Sequence, residues 1–517
     1  MHQSKIAQAI LLFSIVLPII FLYGNIDEFI FLHIGFSHKI DLLGYIPKTD
    51  PAFYDTSPSM PGWYLLPVMI SKISDIPYDS LLFLPIQQIA LSLLYFCVLL
   101  NISRNKLISA LYVLIISTFS HTIYFALHDI GFVIFLSIIL LIIILYRSNN
   151  SKTYISASSG IILSLISVIF VSYKTTFYAL SFIFSLFLIE YFANKNNILA
   201  INQNFRKTFM NLFAVGIIGF LAFNQIFYLQ FIPLIRIIDE SNMGVDKLLT
   251  LFLSSPIDLP ALFSLYYNPP VILVYIKTIR AGLIMLFSFL AVSYAVLKHI
   301  KKPKETLSLS YKLLIALILV GFSIFIIYNL LGLFDIGMLT ISGIVALLIL
   351  YNENHLKKYH IKKLICIVSF VLIMLNISYQ VTVNVHNDFP QKDSNYFEYI
   401  KPTAKWFMSY VNGTDLKLRT DVLTRGYLIK EAATDRYITS YPLMISGEEL
   451  LFITQKSSQS THDKNVLYLL NFKLNHFSIW QWRIIKSLNY FKKEIESNQG
   501  LCKIYSSGFL SAFGQPF

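Results

Sequence analysis

The sequence predicts a polytopic α-helical membrane protein, and its charge content, its hydropathy and the lengths of its apolar runs all support that fold class. The chain has 517 residues, of which 56% are hydrophobic and 13% are charged, and its mean hydropathy is +0.64. Ordinary soluble domains carry about 25% charged residues. This chain has too few polar side chains to cover a water-facing surface, which excludes a soluble enzyme and a disordered chain.

The apolar runs are roughly 18 to 24 residues long, enough to cross a ~30 Å hydrocarbon layer as helices. We predict about eleven spans. They lie at about 6–23, 81–102, 107–126, 130–146, 154–172, 176–192, 209–231, 271–297, 313–331, 336–351 and 364–383. The first is interpreted as a retained helix, because no small-residue cleavage site follows it. The stretch from Gly62 to Ile73 is apolar but short and contains Pro67, so we expect a re-entrant or interfacial helix there.

Orientation follows from the distribution of Lys and Arg, which are enriched in cytoplasmic loops. With the N-terminus inside, the inner loops hold 17 Lys and Arg residues against 3 acids, and the outer loops hold 8 against 13. The formal charge of +13 is therefore a topology signal and indicates no nucleic-acid partner. This orientation predicts an outer first loop at 24–80 and a membrane module over 1–383. It also predicts an extracytoplasmic domain over 384–517. Because the sequence shows no signal for an organelle, a prokaryotic plasma (inner) membrane is the default expectation.

The tail over 384–517 has mixed composition, which predicts a small folded α/β domain. Ala404 to Val411 and Phe477 to Ile495 are expected to be helical by period, and Val422 to Tyr427 and Arg436 to Tyr441 to be strands. The chain contains neither a Walker-type loop nor a glycine-rich dinucleotide fingerprint, which argues against an ATP-driven pump.

Acidic residues at the predicted outer membrane edge suggest chemistry, because an ionisable group there usually has a function or a partner. Asp27 and Glu28 follow the first span directly, and His128-Asp129 precedes the fourth. The first outer loop is long and passes through a proline-bounded aromatic segment that includes Tyr54 and Asp55. A loop of this length between two spans is usually functional. Asp55 is also well suited to a turn beside Pro58.

This order of features resembles the GT-C membrane glycosyltransferases, in particular the protein O-mannosyltransferases and the lipid A aminoarabinose transferases. The shared features are an Asp-Glu pair after the first span, a long first outer loop, an aromatic segment with prolines and a second acid before the fourth span. Lys174 matches a Thr-Lys step of the family only in part, because Tyr173 precedes it. The resemblance covers roughly residues 1–190 and beyond them extends to topology alone.

The resemblance implies transfer of a sugar from a polyprenyl-phosphate donor to a lipid, glycan or protein acceptor on the outer face. It makes Asp27 the expected general base, with Glu28 as second choice. Asp129 is expected to hold the acceptor, or a divalent cation if one takes part; no protein metal-ligand set is predicted. Lys174, or the pair Lys277 and Arg280, is expected to contact the carrier phosphate. The candidate substrate contacts also include Tyr54, Asp55 and His128.

Alternatives stay open from the sequence. Lys277 and Arg280 also fit a role in which they reach the headgroups, and His128 fits a structural role. An O-antigen polymerase or ligase would use a related donor but usually places its key loop between late spans. A lipid-linked glycan flippase or secondary transporter would show charged or broken helices near the midplane and related halves. It ranks lower because the ionisable residues are predicted at helix ends and no internal repeat is apparent.

Overall fold

The computed structural model describes a set of segments of the chain. These are residues 2–22, 37–38, 40–45, 61–77, 81, 84–118, 127–148, 150–195, 203–223, 271–301, 308–330, 337–352, 359–386, 396–411, 417–420, 424, 428, 443–444, 466–471, 476–479, 483–486, 492–497, 501–507 and 510–514. The chain divides into two compact units. The helical unit comprises Met1–Tyr23, Pro85–Ile257 and Val271–Val381, and the second unit comprises Gly24–Leu84, Asp258–Pro270 and Thr382–Phe517.

Long helices make up the described part of the helical unit. They are α1 (His2–Leu22), α3 (Ile86–Ser103), α4 (Lys106–Ser117), α5 (Leu127–Arg147), α6 (Ser151–Val171), α7 (Tyr173–Lys195), α8 (Gln203–Phe223), α9 (Val271–Lys301), α10 (Leu309–Leu330), α11 (Gly337–Asn352) and α12 (Tyr359–His386). The short helix α2 (Pro61–Ser74) belongs to the second unit and contains Pro67, and it forms where a short helix was expected within the long first loop.

Five described segments are long and apolar enough to cross a hydrocarbon layer. They are Ile86–Ser103, Ile130–Arg147, Ser151–Val171, Thr175–Phe192 and Lys362–Tyr379. Shorter apolar helices accompany them within the described part of the chain, among them Ser4–Ile20 and Ile341–Tyr351. The chain therefore has the character of a helical membrane protein. The number of eleven spans and their orientation stay predictions.

The core of the helical unit lies around α7 and α11. In α11 every residue from Ser342 to Leu350 is buried, and this helix contacts α3, α4, α9 and α10. A helix that is apolar on all sides is typical of a protein core or a membrane span. In α7 the buried side chains of Tyr178, Phe182 and Leu186 recur at four-residue spacing and form one face. Other helices, such as α8 and α9, expose large apolar side chains, which suits a surface in contact with lipid.

Helix ends in this unit follow local polar chemistry. Asn105 caps α4, where its side-chain oxygen accepts hydrogen bonds from the backbone N–H groups of Leu107 (3.0 Å) and Ile108 (3.2 Å). Helix α4 ends at Ser117, and residues 119–126 of the span predicted at 107–126 lie outside the described residues. The hydroxyl of Ser117 donates to the Leu114 carbonyl and that of Thr118 to the Ile115 carbonyl. Such local bonds compete with helix continuation.

The second unit contains a five-stranded mixed sheet formed by the tail. Its strands are β1 (Lys417–Thr420), β2 (Leu443–Met444), β3 (Val466–Asn471), β6 (Cys502–Ser506) and β7 (Leu510–Gly514), in the order β2-β1-β3-β7-β6. The pairs β1–β2 and β1–β3 are parallel, and β3–β7 and β6–β7 are antiparallel. Helix α13 (Tyr396–Trp406) continues into a π-helical turn at Phe407–Val411 and contacts β7. The tail therefore combines helices with a sheet, as expected for an α/β domain.

Individual elements of the tail were predicted unevenly. The helix expected from Ala404 to Val411 is present as the end of α13 and its π-helical turn. The helix expected from Phe477 to Ile495 is wrong, because the segment forms the hairpin β4 (His476–Ile479) and β5 (Arg483–Lys486) before the short helix α14 (Lys492–Glu496). Its aromatic and β-branched residues pair across the hairpin, as Phe477 does with Ile485.

Of the two strands expected near residues 422–441, the structure describes only Thr424. Thr424 is helical, so the strand predicted from Val422 to Tyr427 is wrong at that position, and β1 lies a few residues earlier. The strand predicted from Arg436 to Tyr441 lies outside the described residues.

Candidate functional site

The candidate site residues differ in how much of them the structure describes. Asp27, Glu28, Tyr54 and Asp55 lie outside the described residues. For a second group the structure describes the helical backbone but not the side chain; these are His128 and Asp129 in the first turn of α5, Lys174 at the second position of α7, and Lys277 in α9. Arg280 in α9 is fully described, and its surroundings define the candidate site.

A close backbone approach brings the beginnings of α5 and α7 together. A Cβ atom added at Gly131 would lie 2.5 Å from the Thr175 hydroxyl oxygen and 2.8 Å from the Ser172 Cβ. Only a glycine leaves room for this approach. The junction is fixed further by the Thr175 hydroxyl, which donates to the Ser172 oxygen at 3.0 Å, and by the Thr176 hydroxyl, which donates to the Ser172 carbonyl at 2.7 Å.

This contact brings together the first turn of α5, which carries His128 and Asp129, and the first turn of α7, which carries Lys174. Not all of these residues lie on the helix face that makes the contact. Residues three apart in a helix lie on one face, so position 128 lies on the side of Gly131. Position 129 lies about 200° around the helix from Gly131. The backbone geometry therefore brings position 128 nearer to the α6–α7 junction than position 129.

Arg280 is buried inside the helical unit, with 5% of its surface exposed. Its guanidinium Nη1 donates to Asn376 Oδ1 at 3.2 Å, and its Cζ lies 5.2 Å from the centre of the Tyr379 ring. The Asn376 amide nitrogen donates in turn to the Thr118 hydroxyl at 2.8 Å, and Thr118 donates to the Ile115 carbonyl at 2.7 Å. These hydrogen bonds form a series in which each side chain donates to the next, from Arg280 in α9 through Asn376 in α12 to Thr118 at the end of α4. The series fixes the orientation of the guanidinium.

The depth of this chain can be counted along the helices at a rise of 1.5 Å per residue. Thr118 lies about 18 Å from Lys106, Asn376 about 20 Å from Lys363, and Arg280 about 27 Å from Lys298. All three distances exceed half of a ~30 Å hydrocarbon layer. The three hydrogen-bonded residues therefore lie away from the helix ends that carry Lys106, Lys298 and Lys363. We call the part of the helical unit that is defined by Thr118, Arg280 and Asn376 the opposite end.

The position of Arg280 corrects the expectation that ionisable residues lie at helix ends. It is the tenth residue of α9, and its guanidinium contacts the side chains of Asn376 and Tyr379 in α12. Sequence reasoning did not identify Thr118, Asn376 or Tyr379. The available signal was Asn376 itself, a polar side chain within the apolar run Leu364–Tyr379, because a buried amide in a membrane helix needs a partner.

A second buried network lies at the basic end, which we define by Lys106, Arg147 and Lys312. Glu190 in α7 accepts from Lys312 Nζ of α10 at 2.6 Å and from the Tyr146 hydroxyl of α5 at 2.6 Å. The Lys312 side chain is 15% exposed and that of Glu190 4%. Lys312 Nζ also lies 5.4 Å from the centre of the Tyr146 ring. The sequence analysis did not identify this pair.

The described residues contain no cluster of three His, Cys, Asp or Glu side chains arranged to hold a metal ion. What the opposite end offers chemically is an oriented, buried guanidinium, which is a strong partner for a phosphate oxygen. What the basic end offers is a neutralised ion pair. No protein-family model matches the chain, and no curated protein matches it.

Proposed function

We propose that the chain is an integral-membrane glycosyltransferase of the GT-C type, with about eleven spans. It transfers a sugar from a polyprenyl-phosphate donor to a lipid, glycan or protein acceptor on the outer face of the plasma membrane. Asp27 acts as the general base, Glu28 and Asp129 assist it, and the tail domain lies on the same outer side. The carrier phosphate is held by Arg280, with Lys174 and Lys277 as further contacts.

The observation that carries this proposal is the burial and orientation of Arg280. A charged side chain inside a membrane bundle is costly and is usually retained for function. Arg280 lies beyond the midpoint of the layer counted from the basic helix ends, and Asn376 and Tyr379 fix its guanidinium. The phosphate of a membrane-anchored donor could enter this region while its chain stays in lipid, and a planar guanidinium can bind phosphate through two parallel hydrogen bonds.

The proposed reaction is a displacement at the anomeric carbon of the donor. Asp27 accepts the proton of the acceptor hydroxyl while the acceptor oxygen forms the new bond to that carbon. The bond between the carbon and the phosphate oxygen breaks, and its electron pair leaves with the polyprenyl phosphate. The negative charge that develops on the phosphate is stabilised by Arg280 through charge-assisted hydrogen bonds.

The test compares Arg280→Lys and Arg280→Met in the purified full chain, with Lys152→Gln as a control cation outside the site. Binding of polyprenyl phosphate, the departing group, is titrated beside the unfolding temperature in detergent. We expect Arg280→Met to weaken binding by about tenfold or more, and Arg280→Lys to weaken it less, because charge is kept and the planar fork is lost. Unchanged binding in a folded Arg280→Met protein would remove Arg280 from the donor site.

A flippase or secondary transporter is the second candidate, and the buried ionisable groups favour it. Arg280 lies within α9, and Glu190 and Lys312 form a buried pair between α7 and α10. Transporters place such groups along their pathways. Vesicles that contain the purified chain and a lipid-linked sugar separate the two functions. A glycosyltransferase releases polyprenyl phosphate when acceptor is present, whereas a transporter moves the intact donor across the bilayer without breaking a bond.

A further inference from the structure

A cavity of 320 Å³ lies at the basic end of the helical unit, where the ends of α3 and α5 meet the beginning of α10. Ligand cavities in proteins usually measure about 300 to 1,000 Å³, so this one suits a small group such as a lipid headgroup. Its lining includes the cations Arg104, Arg147 and Lys312 and the apolar side chains of Ile102, Ile143 and Leu309.

The charge around the cavity is positive. Three cations line it, and one carboxylate, that of Glu190, binds Lys312 from the side of the core. Three positive charges and one negative charge leave a net charge of two, carried by Arg104 and Arg147. The helix dipoles contribute on both sides, because the beginning of α10 at Ser308 and Ser310 adds partial positive charge and the C-terminal ends of α3 and α5 add partial negative charge, so the net positive charge comes from the arginines. An anion with one or two negative charges complements this lining.

The cavity is organised before any ligand binds. Arg147 Nη1 donates to Asn101 Oδ1 at 2.6 Å, and Nη2 donates to the Asn101 carbonyl oxygen. Asn101 is itself held by a bond from its amide nitrogen to the Cys97 carbonyl at 2.8 Å. A guanidinium has five N–H donors, so these two bonds leave others for a ligand. Because Arg147 is already ordered, binding costs little further side-chain entropy.

The apolar residues beside the cations favour a phospholipid over a free phosphate ion as the ligand. A free phosphate ion would use only the cations, whereas a phospholipid would place its phosphate on Arg104 and Arg147 and its glycerol and first acyl carbons against Ile102 and Leu309. The cavity also lies at the basic helix ends, the level at which headgroups of a bilayer lie. Basic cavities between membrane helices are a recognised setting for anionic headgroups.

We infer that this cavity binds the phosphate of an anionic phospholipid from the leaflet at the basic end, and that the bound lipid connects α3, α5 and α10. This site is separate from the donor site around Arg280 and does not depend on the proposed function. Its chemical class of ligand is a phosphodiester lipid with net negative charge.

The experiment uses the full chain purified in a neutral detergent. Phosphatidylglycerol, phosphatidylcholine and inorganic phosphate are titrated separately against the unfolding temperature, and native mass spectrometry counts the retained lipid. The variants are Arg104→Gln, which leaves the bonds between Arg147 and Asn101 in place, and the double variant Arg104→Gln, Arg147→Gln. Lys152→Gln is the matched control, since Lys152 is exposed at the start of α6 and lies outside the cavity.

We expect phosphatidylglycerol to raise the unfolding temperature of the wild type and of Lys152→Gln, with one tightly held copy. Its apparent affinity should fall by about tenfold in Arg104→Gln and further in the double variant, since each loses a charge-assisted contact. Equal affinity in the wild type and Arg104→Gln would overturn the site. Equal stabilisation by inorganic phosphate would show a free-anion site, and equal stabilisation by phosphatidylcholine would show general lipid binding; each overturns the assignment to anionic lipid.

Discussion

The two ends of the helical unit hold their buried cations with different kinds of partner. At the basic end Lys312 donates to the carboxylate of Glu190 at 2.6 Å. At the opposite end Arg280 donates to the neutral amide of Asn376 at 3.2 Å and lies over the Tyr379 ring. A carboxylate both orients a cation and neutralises it, whereas an amide and a ring orient it without adding negative charge.

The two kinds of partner suit different roles, the ion pair a role in stability and the neutral partners a role in anion binding. A buried ion pair is costly to break, because removal of one partner leaves an uncompensated charge. A cation oriented by neutral groups can offer its charge to an incoming anion. We therefore expect substitutions in the Glu190–Lys312 pair to act mainly on folding, and substitutions at the opposite end to act mainly on the donor and on turnover.

The largest effect should come from Asp27→Asn, which tests whether this carboxylate is the general base of the proposed reaction. An amide cannot accept the proton of the acceptor, so turnover should fall by roughly 10²–10⁴-fold while donor binding is kept. Glu28→Gln should be milder, because the family resemblance makes Glu28 only the second choice for the base. Transfer assays and donor titrations measure the two separately. Near-normal turnover in both variants would favour the transporter.

The next effect should come from Glu190→Gln at the basic end. It leaves the buried ammonium of Lys312 without its carboxylate, so the free energy of unfolding should fall by about 3–5 kcal/mol. The double variant Glu190→Leu, Lys312→Met removes both charges and should recover most of that loss. Thermal unfolding in detergent compares the two. If the double variant is no more stable than the single one, the pair does not have the energetic role assigned to it.

Gly131→Ala tests the close packing of α5 against α7 without changing any charge. The added Cβ would lie 2.5 Å from the Thr175 oxygen, so the helices must shift, at a cost of about 1–3 kcal/mol. Gly282→Ala in α9 is the matched control, because no atom lies within 4 Å of its added Cβ. It should be neutral or slightly stabilising, since alanine is the better helix former. Equal unfolding temperatures for both variants would contradict the close approach.

The smallest and most specific effect should come from Asn376→Asp, which gives Arg280 the kind of partner that Lys312 has. The unfolding temperature should stay level or rise, because an ion pair with Arg280 replaces a hydrogen bond to a neutral amide oxygen and outweighs the loss of the bond that the Asn376 amide donates to Thr118. Binding of polyprenyl phosphate should weaken by about tenfold, because the guanidinium is then partly neutralised. A gain in stability with no loss of binding would indicate that Arg280 has a purely structural role.

The sequence by itself determined the class of the protein and the approximate course of its chain. Low charge and long apolar runs leave a helical membrane protein as the fold class. Helices α1, α3 and α5 to α12 each overlap a predicted span. The short helix at Pro61–Ser74 and the mixture of helix and sheet in the tail were also expected. These features depend on composition and local period, which a single sequence contains.

Only the tertiary structure decided which polar groups meet. Glu190 and Lys312 are 122 residues apart, and Asn376 and Thr118 are 258 residues apart, so no local pattern indicates either contact. The hairpin at His476–Lys486 was mistaken for a helix for a related reason, because aromatic and β-branched residues fit either period until a partner strand is present. Spacing along the chain predicts periodic elements, whereas the partner of a buried charge is set by the packing of helices from distant parts of the chain.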